Sequence, residues 1–125
     1  MAPCEPTRVT SQRGLLAAMS VTAVIAAVIA VLTLTQLLGP QSGVPGSDKA
    51  HHLLAFAALA FPLSAARPRL APWVVLGAVS YGGLVEIIQP YAGRHAEWGD
   101  LVADAGGAIL GSVAGAAAGL WRRSG

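Results

Sequence analysis

Three histidines and six carboxylates are the side chains of this protein best suited to chemistry, and most of them crowd into a few short stretches. Asp48, Lys49, His51 and His52 stand together, Glu86 and Gln89 close a long apolar run, and Arg94, Glu97, Trp98, Asp100 and Asp104 follow shortly after. An imidazole among carboxylates suits proton transfer, recognition of a polar ligand, or coordination of a metal ion. His52 is the candidate base, with Asp48 or Glu86 to orient it. No serine or cysteine sits among these polar residues as an evident nucleophile, and the His-Glu-x-x-His spacing of a zinc hydrolase is missing. A metal enzyme would need three or more of Asp48, His52, Glu86, Asp100 and Asp104 brought to one point by separate elements. Lys49 and Arg94 are internal counter-charges that a dedicated cation site would normally lack, so the sequence leads us to expect no such convergence, no bound metal and no other cofactor.

The elements that must position these residues follow from composition. Only 11% of the 125 residues are charged and 54% are hydrophobic, against roughly 25% charged in soluble domains. With a mean hydropathy of +0.61, the chain cannot clothe a water-facing surface. That excludes a nucleic-acid-binding domain, a disordered tail and a disulfide scaffold. The lone Cys4 has no partner, and its place ahead of any hydrophobic run does not fit a lipoprotein cleavage site.

Leu15 to Leu38 is a run of 24 residues with no ionisable side chain, longer than the ~20 residues that cross a bilayer core. Arg8 and Arg13 precede it like the charged start of a signal peptide, but the run is too long and lacks a small-residue cleavage pattern. The glycines, prolines and serines from Gly39 to Ser47 form a turn, with Ser47 or Asp48 able to cap the next helix. A second helix over 48–66 is short for a span unless its half-polar first turn lies at the interface. A third over 73–89 is stopped by Pro90, which leaves Glu86 inside its last turn. A fourth covers 98–121. The sequence thus predicts an all-α, four-helix transmembrane bundle over 15–121, flanked by tails at 1–14 and 122–125.

Charge fixes the expected orientation. Arg8, Arg13, Arg67, Arg69, Arg122 and Arg123 fall on one side with Glu5, while Lys49 and Arg94 on the other side are outnumbered by Asp48, Glu86, Glu97, Asp100 and Asp104. The positive-inside rule then predicts cytoplasmic termini and an outward-facing acidic cluster. At 100° per residue, Asp48, His52, Phe56, Leu59 and Leu63 share one stripe of helix two, and Val79, Gly82, Gly83, Glu86 and Gln89 share a face of helix three. Gly107, Gly111, Gly115 and Gly119 form a ladder with a spacing of four on helix four, and Asp100 and Asp104 head the same face. Such small-residue ladders let transmembrane backbones approach, either within a chain or in a homo- or hetero-oligomer.

Taken in order, these residues resemble the VanZ-like family of small bacterial membrane proteins. The likeness rests on Asp48-Lys49-x-x-His52-x-x-x-Phe56, Tyr81-Gly82-Gly83, Glu86-x-x-Gln89, Arg94, Trp98 and Asp100, leading to Gly107 and Gly111. Asp104 departs from the pattern, which usually has asparagine there. The resemblance implies a setting at the outer face of the cell membrane, since the family takes its name from a protein linked to low-level resistance to teicoplanin, a lipid-tailed glycopeptide. It implies no agreed biochemical activity.

Together these readings favour a multi-pass membrane protein whose outer polar residues Asp48, Lys49, His52, Glu86, Gln89, Arg94, Trp98, Asp100 and Asp104 bind a cell-envelope precursor, a lipoglycopeptide or another lipid-linked ligand. Because the cluster is acidic, a ligand bearing an amine fits it better than a bare phosphate, unless a divalent cation bridges. An intramembrane hydrolase or transferase and a structural assembly partner are the alternatives. Membrane lipid is an expected partner and nucleic acid is not.

Overall fold

The computed structural model describes residues 6–35, 47–92 and 98–124, and every regular element among them is helical. The helices are α1 (Pro6–Thr35), α2 (Ser47–Ala66), α3 (Ala71–Ile88) and α4 (Trp98–Ser124), with short 3₁₀ turns at Pro68–Leu70 and Gln89–Ala92. Two ends differ from the sequence expectation. Residues 6–14, expected as a tail, belong to α1, and α4 runs on through Arg122 to Ser124. The apolar run marks where a helix becomes greasy, not where it begins, and Pro6 suits a first helical turn because the amide it lacks would have no intrahelical partner there. Residues 36–46, which hold the end of the expected first helix and most of the Gly39 to Ser47 turn, lie outside the described residues, and Ser47 itself opens α2.

Prolines set the other boundaries. Arg67 is extended (φ −139°, ψ 84°), as the residue before a proline prefers. Its amide still reaches the Leu63 carbonyl at 2.8 Å, and Leu70 then bonds back to Arg67 at 2.9 Å. The chain therefore passes from α2 into α3 through a single tight turn. At the other end of α3, Gln89 keeps helical dihedrals and its amide bonds to Val85. Pro90 has no amide to offer the Glu86 carbonyl, and the helix gives way to the 3₁₀ turn.

The glycine ladder explains how α2 and α4 meet. A Cβ on Gly107, Gly111, Gly115 or Gly119 would collide with the backbone carbonyl of Leu53, Ala57, Phe61 or Ala65 respectively. Residue number rises together along both helices, so α2 and α4 run parallel in constant register with backbones in contact. This face, which the sequence also offers for association with another chain, is filled from within by α2. Phe56, Leu59, Ala60, Ala78, Ala108 and Ile29 form the buried core beside it. The Tyr81 hydroxyl donates to the Ala26 carbonyl and ties α3 to α1.

Three helical stretches among the described residues, Gln12–Thr33, Pro68–Tyr91 and Trp98–Arg122, are long and apolar enough to cross a membrane. The polar first turns of α2 keep it from that group. Large apolar side chains such as Val24, Leu76, Val102 and Val113 face outward, as lipid contact requires. Hydroxyls on these helices are satisfied by their own backbone: Ser20, Thr33 and Ser80 donate to the carbonyls of Leu16, Ile29 and Leu76, four residues back.

Candidate functional site

The site is built where α2, α3 and the first turns of α4 come together. Asp104 lies one turn before the ladder begins at Gly107, on the side of α4 that faces α2, and is 1% exposed. His52, one residue before Leu53 in α2, is carried to the same level. Its Nδ1 stands 2.8 Å from Asp104 Oδ1. An ionised carboxylate can only accept, so the ring N–H donates, and in the neutral ring this leaves Nε2 with its lone pair. Nε2 faces the buried Asp100, whose Oδ2 is 3.8 Å away. Phe56, one turn further along α2 and 1% exposed, packs below the imidazole's helix face and meets Tyr81 with ring centroids 6.1 Å apart.

Helix α3 closes the third side. A Cβ on Gly82 would stand 2.8 Å from Asp104 Oδ2 and 3.3 Å from Phe56 Cε1, so the absence of a side chain there is what admits the carboxylate. Glu86, one turn onward, is buried, and donor atoms of His52, Glu86 and Asp104 all lie within 4.8 Å of one another. The sequence expectation concerned convergence to coordination distance; the folded chain gathers three of these groups into one buried cluster. Constant register between α2 and α4 sets the levels of His52 and Asp104, and the small residue at Gly82 lets α3 come close enough to add Glu86. Asp104, and not Glu86, is the carboxylate hydrogen-bonded to His52; the side chain of Asp48, the other expected partner, lies outside the described residues.

The remaining expected site residues divide. Gln89 is 1% exposed, and its Oε1 has no hydrogen-bond partner among the described residues. Lys49 is exposed and lays its side chain along Gly99 at the start of α4. Trp98 is 83% exposed and stands apart from the cluster, because the first residue of a helix that buries Asp100 and Asp104 presents a different face. Arg94 and Glu97 lie outside the described residues. His51 is exposed. Gly82 is the residue whose part sequence reasoning missed; its place four residues before Glu86 and seven before Gln89 was the available signal, since a small residue on that stripe leaves room for something opposite.

Electrostatics decide what this arrangement can do. Two ionised carboxylates about 4.8 Å apart repel by about 3 kcal/mol even at an effective dielectric of about 20, and Glu86, Asp100 and Asp104 are all buried. Such a group favours positive charge nearby or a proton on one carboxyl. A protonated imidazole, an amine of a ligand or a metal ion each meets that need. Compared with known protein families, curated proteins and solved structures, the chain matches none.

Proposed function

We propose that this chain is a VanZ-like protein of the bacterial plasma membrane with four spans and both termini in the cytoplasm, and that its outer polar cluster binds a cell-envelope or lipid-linked ligand. The fourth span is α2. Its own composition is too polar to qualify, but it runs parallel to α4 with backbones in contact from Leu53 to Ala65 and so occupies the same depth. An even number of spans returns the chain to the side where its arginines concentrate.

The observation that carries the ligand reading is the assembly of His52, Asp104, Asp100 and Glu86 from three helices at the end of the molecule opposite Arg67, Arg69 and Arg122. A buried group of this kind is costly among apolar helices, and its usual justification is function. An apolar groove of about 360 Å³ between α1, α2 and α3, lined by Thr22, Ala26, Leu59, Leu63, Trp73 and Tyr81 among others, offers a place for an acyl or prenyl chain. In nanodiscs, a polyprenyl-linked cell-wall precursor or a lipid-tailed glycopeptide should raise the thermal stability of the wild type, and His52→Ala should abolish the rise. An equal rise in both proteins would reject this site.

One observation favours a second reading. His52 is oriented by Asp104 through Nδ1, and in the neutral ring Nε2 is then the proton acceptor in the manner of a general base. A hydrolase or transferase would then use water or a substrate hydroxyl as nucleophile. Ser64 and Ser112 are buried, but Ser64 lies twelve residues along α2 from His52, roughly 18 Å at 1.5 Å per residue, too far to serve.

A further inference from the structure

The donor set at the centre of the cluster is more particular than a patch of negative charge. Imidazole nitrogen from α2, a carboxylate from α3 and a carboxylate from α4 lie within 4.8 Å of one another. Donors that share a zinc-like ion sit ~2.0 to 2.2 Å from it, and so stand roughly 3 to 4.4 Å apart. Ion binding at Nδ1 would replace the proton of the 2.8 Å hydrogen bond between His52 and Asp104, and small side-chain rotations would then open the set into that range. Two carboxylates and a neutral imidazole also match a divalent charge. One nitrogen and two oxygens suit a borderline transition-metal ion, whereas calcium and magnesium favour oxygen ligands.

Gln89 adds a further buried polar group at this end of the bundle. Gln89 is 1% exposed with its Oε1 lacking a hydrogen-bond partner among the described residues. It shares a stripe with Gly82, seven residues earlier and itself in contact with Asp104, and stands three residues beyond Glu86. The turn that begins at Gln89 packs against α1, so this amide lies beside the cluster at the same end of the bundle. Asp100, with Oδ2 3.8 Å from His52 Nε2, is placed to steady the ring.

We propose that His52, Glu86 and Asp104 bind one divalent transition-metal ion of the zinc or manganese class. This deepens the ligand reading above, because an ion held by three protein donors keeps open positions that can take an anionic group of the ligand. The test uses full-length protein carrying no polyhistidine tag, stripped with chelator, returned to nanodiscs and titrated with Zn²⁺, Mn²⁺ and Co²⁺. Wild type should take up one equivalent saturably, with a cobalt absorption spectrum and a rise in thermal stability. His52→Ala, Asp104→Asn and the equal-sized Glu86→Gln should each weaken uptake by roughly tenfold or more, while Ser80→Ala should not. No saturable uptake by the wild type, or one equivalent kept by all three variants, overturns the proposal. The envelope-ligand assay run with and without metal separates the two readings: ligand binding without metal uptake defeats the metal site alone, and metal uptake without ligand binding defeats the ligand reading alone.

Discussion

Asp104 meets two demands at once, accepting the His52 N–H through Oδ1 while Oδ2 lies against the bare Cα of Gly82. Substitution should separate these demands. Asp104→Asn keeps an oxygen able to accept from Nδ1, while Asp104→Ala leaves the ring N–H without its partner in a buried place. We expect Asp104→Ala to cost about 3 kcal/mol and Asp104→Asn distinctly less, measured by unfolding in detergent or bicelles; equal costs would show that the hydrogen bond contributes little. The neighbouring glycines provide a matched pair. Gly82→Ala drives a methyl group into Asp104 and Phe56, whereas nothing lies within 4 Å of a Cβ on Gly83. Gly82→Ala should lose ~1 to 3 kcal/mol through overpacking and weaken ligand binding. Gly83→Ala should be neutral or gain up to ~1 kcal/mol from helix propensity. Similar behaviour of the two would contradict the close approach of α3.

Among elements, the contact between α2 and α4 governs the site, since it fixes the depth at which His52 meets Asp104. Glycine serves there by letting backbones touch, which matters in lipid because apolar side chains gain little by leaving one oily phase for another. Gly111→Ala sets its methyl against the Ala57 backbone, which cannot rotate aside, while a Cβ on Gly106 would meet only Leu53 Cδ1 at 3.9 Å. Gly111→Ala should therefore lower stability by ~1 to 3 kcal/mol and lengthen the His52 to Asp104 contact. Gly106→Ala should do neither. A distance measurement between probes on α2 and α4, read beside the unfolding curve, checks both halves of this expectation.

For the whole molecule, topology is the property on which every functional reading depends. Cysteines placed singly at Gly43 and Ala92, with Cys4 replaced by serine, should react with a membrane-impermeant thiol reagent in intact cells, and one at Ala66 should not. Labelling of Ala66 alone would turn the protein over and put the acidic cluster in the cytoplasm. Labelling of Gly43 but not of Ala92 or Ala66 would mean that α2 and α3 do not cross as a pair. The register between α2 and α4 speaks for crossing, because a helix in backbone contact with a span along most of its length shares its depth.

The existence and approximate limits of the helices were legible in the chain because they depend on local properties: apolar runs long enough for a bilayer, and prolines such as Pro68 and Pro90 that stop helices wherever they occur. The faces that gather Glu86 with Gln89, and Asp104 with the glycine ladder, were legible for the same reason, since 3.6-residue periodicity is a property of one helix. Which helix meets which face is not local. The ladder could have served a second chain, and only the folded structure sets it against Leu53, Ala57, Phe61 and Ala65 of α2. That choice decides that His52 hydrogen-bonds to Asp104, and the approach of α3 through Gly82 brings Glu86 within 4.8 Å of both. Periodicity says which way a side chain points, but distance between helices is set by what their facing surfaces lack, and at Gly82 and Gly107 what is lacking is a side chain.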